Sequence, residues 1–467
     1  MQGLLVTATI FLFLFLPPSA CHSQSNFQLP DTLKKLRVRN IIISGNKQTK
    51  EYIIRREMPL SVGDTVEASA VLAKLEEARS FIYNTTLFLD VKVLPLFIGD
   101  DQLDIVVHVE ERWYIFPIPV FQLADRSVNE WIQKYNASLS RVSYGIRFLH
   151  KNVSGRNDQF AITAINGYSR NISFNYRAPY SNPSLTEGVI VDGGFLQSME
   201  IAVKTSTNNE IVHYKKDNFV RDAWYARGAY LSRKGLKKRE TFSFSFYHIK
   251  VDDSVTLYYP TYFRSSKSSL DFPEFEYRLQ FINVDNILYP LKGYTSLFSV
   301  NKRGLSWNKN IDRLSVRAGH NFYFAHANKW YSSIRLSGEI KLPFQQAFIN
   351  RRAIGYGEDY LRGYELYVID AAWSLTSKFD VKKEIASFAI PTFLNSKSYD
   401  RIPFRIYAKS FADVGYAYIQ DEYDSRLNNK LLFSGGVGLD IVTIYDLKLS
   451  IEFSLNQLRQ KGLFLHY

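Results

Sequence analysis

The chain has 467 residues, 15% of them aromatic, a formal net charge of +13 and a single cysteine, Cys21. That cysteine count excludes a disulfide framework and a cysteine-based zinc site. A mean hydropathy of −0.18 excludes a bundle of membrane-spanning helices, whereas moderate hydropathy with many aromatics suits strands that alternate oily and polar side chains.

In chain order, the first signal is an apolar run from Leu4 to Leu16 that ends at Pro17-Pro18. It is too short to span a bilayer as a helix and reads as the core of a secretory signal peptide, residues 1–23, followed by a linker, residues 24–35. Ala20-Cys21 leaves lipidation of Cys21 open. No later segment is long and apolar enough for a helical anchor.

Residues 36–112 read as a small α/β unit in the order β-α-α-β-β. Val38 to Ile43 is strand-like, Lys50 to Glu57 is a short helix, and Gly63-Asp64 breaks the chain. Ala68 to Tyr83 places Val71, Leu72, Leu75, Ala78 and Ile82 on one helical face. Leu89 to Leu94 and Leu103 to Val109 are strands joined by the turn Gly99-Asp-Asp101.

From residue 113 to 467 the pattern changes to period two. Ile334, Leu336, Ile340 and Leu342 share one face, while Arg335, Ser337, Glu339 and Lys341 share the other. Leu447 to Asn456 alternates in the same way, as do the stretches around Phe242-Thr/Ser-Phe246 and Phe275 to Phe281. Roughly sixteen such runs follow Ile115, and strands that span lipid must close their backbone edges, so an antiparallel transmembrane β-barrel of about sixteen strands is expected.

Ile43-Ser-Gly-Asn46, Thr49, Ile53-Ile-Arg-Arg-Glu57, Gly63-Asp64, Leu87-Phe88 and Val107-His-Val-Glu-Glu-Arg112 together resemble a POTRA domain. With the barrel pattern, the chain resembles the BamA/TamA superfamily of bacterial surface antigen-type barrels. The resemblance implies a Gram-negative outer-membrane protein with its POTRA in the periplasm, which folds, inserts or translocates other proteins. It implies as partners unfolded outer-membrane or secreted client chains, outer-membrane lipid and lipopolysaccharide, and other subunits of an assembly complex. The POTRA would receive clients by strand addition, a mode that relies on backbone hydrogen bonds.

The resemblance gives weight to Leu361-Arg362-Gly363-Tyr364, between the eleventh and twelfth expected strands. The family keeps there a loop that folds into the lumen with its Arg inward. A buried guanidinium calls for a carboxylate in fork geometry, and the resemblance points to Asp413 in Phe411-Ala-Asp-Val-Gly415. Parity agrees: Arg405, Lys409 and Asp413 share one strand face. A second acid is expected near the end of the twelfth strand, where this sequence has Lys378. The usual paired glycines before the Arg are altered to Gly355-Tyr-Gly357.

The family's insertases have a weak seam between first and last strands. Pro117 and Pro119, two apart in Ile115 to Phe121, either lack amide donors on one edge of a first strand or stiffen a linker. Leu463, Leu465 and Tyr467 share a face of the short final run, which resembles an outer-membrane C-terminal insertion signal. Each lost backbone bond would weaken the seam by about 1 kcal/mol.

No zinc-protease, phosphate-loop or serine-hydrolase motif is present, so no catalysis, cofactor, metal or nucleic acid is expected. Rival expectations are a secretion pore of the two-partner kind, an accessory or structural barrel in a larger complex, and a passive channel.

Overall fold

The computed structural model describes residues 34–124, 136–305, 311–356, 359–392, 400–420 and 425–466. The expected signal peptide, most of the linker and Tyr467 lie outside the described residues.

The N-terminal unit contains β1 (Lys35–Ser44), α1 (Glu51–Arg56), β2 (Thr65–Glu67), α2 (Val71–Tyr83), β3 (Phe88–Ile98) and β4 (Gln102–Glu111). Its sheet order is β2-β1-β4-β3, with β1 parallel to β4 and the other pairs antiparallel. The short β2 is an addition to the expected order. Gly63, at φ +95°, turns the chain so that Val66 pairs with Leu36 and is buried. Three residues are too few to show a period.

Leu36, Val38, Ile53, Ile54, Leu103, Ile105 and Val107 form the core with one face of α2. That face is Val71, Leu75, Ala78, Phe81 and Ile82. Leu72, expected on it, is exposed instead, because it sits a third of a turn from Val71. β3 is a long strand at the sheet edge.

The second unit is a sixteen-stranded antiparallel β-barrel. Its strands are β5 (Ile115–Leu123), β6 (Val142–Lys151), β7 (Gln159–Gly167), β8 (Ser169–Ala178), β9 (Glu187–Ser198), β12 (Arg221–Ser232), β13 (Lys238–Val251), β14 (Ser269–Val284), β15 (Gly293–Arg303), β16 (Arg313–Ala325), β17 (Trp330–Leu342), β20 (Trp373–Pro391), β21 (Arg401–Tyr418), β22 (Leu431–Val442), β23 (Lys448–Asn456) and β24 (Lys461–His466). Each pairs with the next in this order. Two short pairs, β10 (Glu200–Thr205) with β11 (Ile211–Lys215) and β18 (Arg352–Ile354) with β19 (Ile369–Asp370), lie in the long connections.

The unit is built inside out. Leu375, Phe433, Val437 and Leu455 are more than half exposed, whereas Asp413, Asp440, Ser450 and Glu452 are buried. Period two puts the first set on the outer surface and the second in the lumen. Aromatic pairs line the outside, including Phe242–Tyr277 and Phe244–Phe275, each at 4.8 Å between ring centroids. A soluble protein has little use for such a surface, but lipid tails match it. Among the described residues, no helix is long and apolar enough to cross a membrane.

The N-terminal unit lies across one mouth of the barrel and, among the described residues, touches five of its turns. Lys50 N donates to Gly155 O (2.9 Å), and Asn152 Nδ2 donates to Thr49 Oγ1 (2.9 Å). Asn84 bridges the β14–β15 turn, donating to Val284 O and accepting from Ile287 N, both at 2.7 Å. Glu57, fully buried, accepts from Tyr180 Oη (2.9 Å) in the β8–β9 turn and from Arg233 Nη2 (2.7 Å) after β12. Burial alone would raise the Glu57 carboxyl; the Arg233 guanidinium outweighs it and holds the group below its ordinary value. Asp446, in the β22–β23 turn, accepts from Tyr83 Oη (2.6 Å) and Arg112 Nη2 (3.3 Å). Burial first, then the Asp446 carboxylate, push the Tyr83 phenol up to about 12.

Candidate functional site: the lumen loop and the seam

The connection from β17 to β20 runs from 343 to 372 and folds into the lumen. Gly355 starts the inward turn at φ +87°. A Cβ there would stand 2.1 Å from Tyr367 O, so only glycine fits. Leu361, Arg362 and Tyr364 are all buried. Gly363, at φ +85°, lets the chain reverse beside Ser434, Ser454 and Asn456. Asn456 Nδ2 donates to Gly363 O (2.6 Å), and Tyr364 Oη donates to Phe433 O (3.1 Å). Gly415 leaves room for Leu361, since a Cβ at 415 would meet Leu361 Cδ1 at 2.5 Å.

Arg362 is brought onto Asp413. The carboxylate takes a fork from Nε (2.9 Å) and Nη2, and also accepts from the Arg362 backbone N (3.0 Å). The guanidinium lies over the Phe411 ring, 4.0 Å from its centroid. The second acid is Asp380, which bonds Arg362 Nη1 and accepts from Arg335 Nη2 (2.8 Å) and Ser333 Oγ (3.2 Å). Lys378, which occupies the position expected to be acidic, is opposite Asp413 in the β20–β21 register and rests over the Tyr360 ring at 4.3 Å. Strand parity was the signal for Asp380: residues two apart share a face.

The network continues into residues that the sequence reading did not single out as a site. Lys409 bridges Asp440 and Glu452, and Asp440 also receives Lys382 (3.0 Å), Tyr289 Oη (2.8 Å) and Ser450 Oγ (2.7 Å). These groups surround a lumen cavity of about 200 Å³. Four carboxylates and several cations are thus kept from water by mutual pairing, and removing either sign would strand the other.

The seam lies between β5 and β24. The sheet was expected to close, yet among the described residues no ladder joins these two strands. Lys151 N donates to Tyr114 O (2.7 Å) and Ala124 N to Arg141 O (2.9 Å), so the even-numbered residues of β5 bond to β6. Pro117 and Pro119 turn their backbone to the opposite edge, on which no ladder is formed among the described residues. Two amide donors are missing there. On the other side, β24 has only six residues. Leu463 and Leu465 face outward and are largely exposed, while His466 points inward. Phe116 meets Tyr445 of the β22–β23 turn at 6.0 Å, so β5 and the last hairpins stand side by side at that mouth.

Residues 36–112 match the family model POTRA, described as a surface antigen variable number repeat. Over 79 residues the chain is 40% identical to "Outer membrane protein assembly factor BamA" of Neorickettsia risticii (strain Illinois). That match spans 17% of this chain and 10% of the relative's length. Among solved structures, the chain is similar to BamA from Haemophilus ducreyi lacking POTRA domains 1–3, at 15% identity and a TM-score of 0.51, covering 92% of this chain and 83% of that one. It is also similar to CdiB from Escherichia coli, at 10% identity and a TM-score of 0.54, covering 92% and 75%. At such identities the structural likeness is one of fold.

Proposed function

We propose that this chain, a POTRA-plus-barrel protein of the BamA/TamA type, assembles or translocates outer-membrane or secreted proteins from the periplasmic side of a bacterial outer membrane. The observation that carries the reading is the seam: two terminal strands without a ladder, one of them short and the other lacking two donors on its free edge. Free edges pair readily with an incoming strand. The POTRA offers a second edge, β3, for extended client segments. Arg362, Asp413 and Asp380 hold the lumen loop against β20 to β23 and so keep the inner wall of the seam in place. The outer aromatic surface meets lipid and lipopolysaccharide. Every step is a rearrangement of strands and needs no nucleotide and no bond-making side chain.

Disulfide crosslinking tests it. A cysteine at Val120 or Phe121 is paired with one at Leu463 or Leu465, in a Cys21→Ser background. Closing the bridge should lower the level of a defined set of outer-membrane or exported proteins, and reduction should restore it. A bridge that forms without changing those levels would sink the proposal. It would favour a second reading, an accessory barrel in a larger complex, which the fastening of the POTRA across the mouth at five turns already suits. Conductance in planar bilayers separates both from a passive channel.

A further inference from the structure

The lumen loop, β23 and β24 meet at the edge of the Arg362 network, beyond Glu452. Glu365 from the loop, Glu452 from β23 and His466 from β24 each bring one ligand atom within 4.8 Å of the others. Both Glu365 carboxylate oxygens, Glu452 Oε2 and His466 Nε2 are shielded from solvent and make no well-formed hydrogen bond. Beyond the contacts of His466 with the two carboxylates they have, among the described residues, no neighbour of opposite charge, and Glu365 Oε2 has none at all. Buried polar atoms are nearly always hydrogen-bonded, and two carboxylates converging on one imidazole leave acceptor capacity that an ion would fill.

The chemistry narrows the choice. The Glu452 side chain is only 4% exposed, and its carboxylate is divided. Oε1 faces Lys409 and, at 4.0 Å, Arg362 Nη1, while Oε2 is left towards His466. His466 Nε2 stands 3.2 Å from Glu452 Oε2 and 3.4 Å from Glu365 Oε1. Two ligands of a tetrahedral zinc ion, each roughly 2.1 Å from the metal, lie about 3.4 Å apart. The imidazole is stacked on Tyr360 at 4.8 Å with 18° between planes, which fixes its orientation. One imidazole with two carboxylates suits zinc and its neighbours, whereas calcium and magnesium prefer oxygen alone.

We infer that Glu365, Glu452 and His466 bind one divalent transition-metal ion, zinc being the best fit, with water in the fourth position. The ion would staple the short terminal strand to the lumen loop and to β23, on the strand that has no ladder on its other side. The three ligands come from separate elements, so no spacing motif announces them.

The test uses the untagged full chain, folded in detergent, with Cys21→Ser and His22→Ala to remove the adjacent thiol and imidazole. After chelation the protein is titrated with Zn²⁺ and with Co²⁺ as a spectroscopic probe. One ion per chain and a tetrahedral Co²⁺ band are expected. His466→Ala and Glu365→Gln should each weaken binding by at least about 100-fold, whereas His326→Ala should leave it unchanged. Gel mobility of unheated samples reports whether each variant remains a barrel. Independently of any variant, Zn²⁺ should slow amide hydrogen exchange in residues 462–466 of the parent chain. The inference is overturned by any of three results: no stoichiometric uptake by the parent, equal uptake by a folded His466→Ala chain, or exchange in β24 indifferent to Zn²⁺.

Discussion

Replacing Arg362 by Ala gives the sharpest test of how the lumen loop is held. Asp413 is fully buried, and its fork comes from this one side chain; only the bond from the 362 backbone N would survive. Asp380 would keep Arg335 and Ser333. Breaking a buried pair from one side typically costs about 3–5 kcal/mol, because the other charge stays behind. The lumen cavity admits some relaxation, so we take the lower end, about 3 kcal/mol, or a loop released roughly 150-fold more often. Leu361, next to Arg362 and wholly buried, is the reporter. In a Leu361→Cys, Cys21→Ser chain, the rate of maleimide labelling measures release of the loop while the barrel stays folded. Arg362→Ala should raise that rate by about two orders of magnitude. Arg362→Lys should fall between, since one ammonium cannot fork on Asp413 and still reach Asp380. Equal labelling rates with and without the guanidinium would refute the idea that this network holds the loop.

Gly415→Ala should loosen the same loop by about 1–3 kcal/mol through the clash with Leu361; adding Leu361→Ala should recover part of the loss in a double-mutant cycle. Pro117→Val with Pro119→Val returns two donors to the free edge of β5 and should slow hydrogen exchange at the seam, checked by mass spectrometry of peptides covering 115–123. The Glu57 clasp has a defined pH window. Its folded-state carboxyl is lowered, so its contribution is full above the unfolded value near 4.5 and is lost as pH falls through the lower folded value. POTRA docking, followed by crosslinking residue 84 to residue 287, should be constant from neutral pH to about 5 and weaken below about 4. Glu57→Gln should weaken docking at neutral pH and flatten this profile.

The architecture was largely legible because both units obey a simple period. The lipid-facing and lumen-facing sets of β17 and β23 are the alternations visible at Ile334–Leu342 and Leu447–Asn456. Arg362 and Asp413 were expected from the family resemblance, with strand parity in support. Asp380 shares a strand face with Lys378 two residues before it, but parity alone does not tell which of the two reaches Arg362 across the lumen. Glu452, Asp440 and Lys382 lie on β23, β22 and β20, and the register of the neighbouring strands brings them together. The prolines of β5 marked one edge, but which neighbour that edge faces depends on a register that no local pattern fixes.

The surface that receives the POTRA is assembled from turns scattered between residues 152 and 447. The domain made first is therefore the one seated last. Until the β22–β23 hairpin has joined the sheet, Asp446 is not in place to receive Tyr83 and Arg112. Full seating of the N-terminal domain is thus a built-in record that the sheet has grown as far as the β22–β23 hairpin.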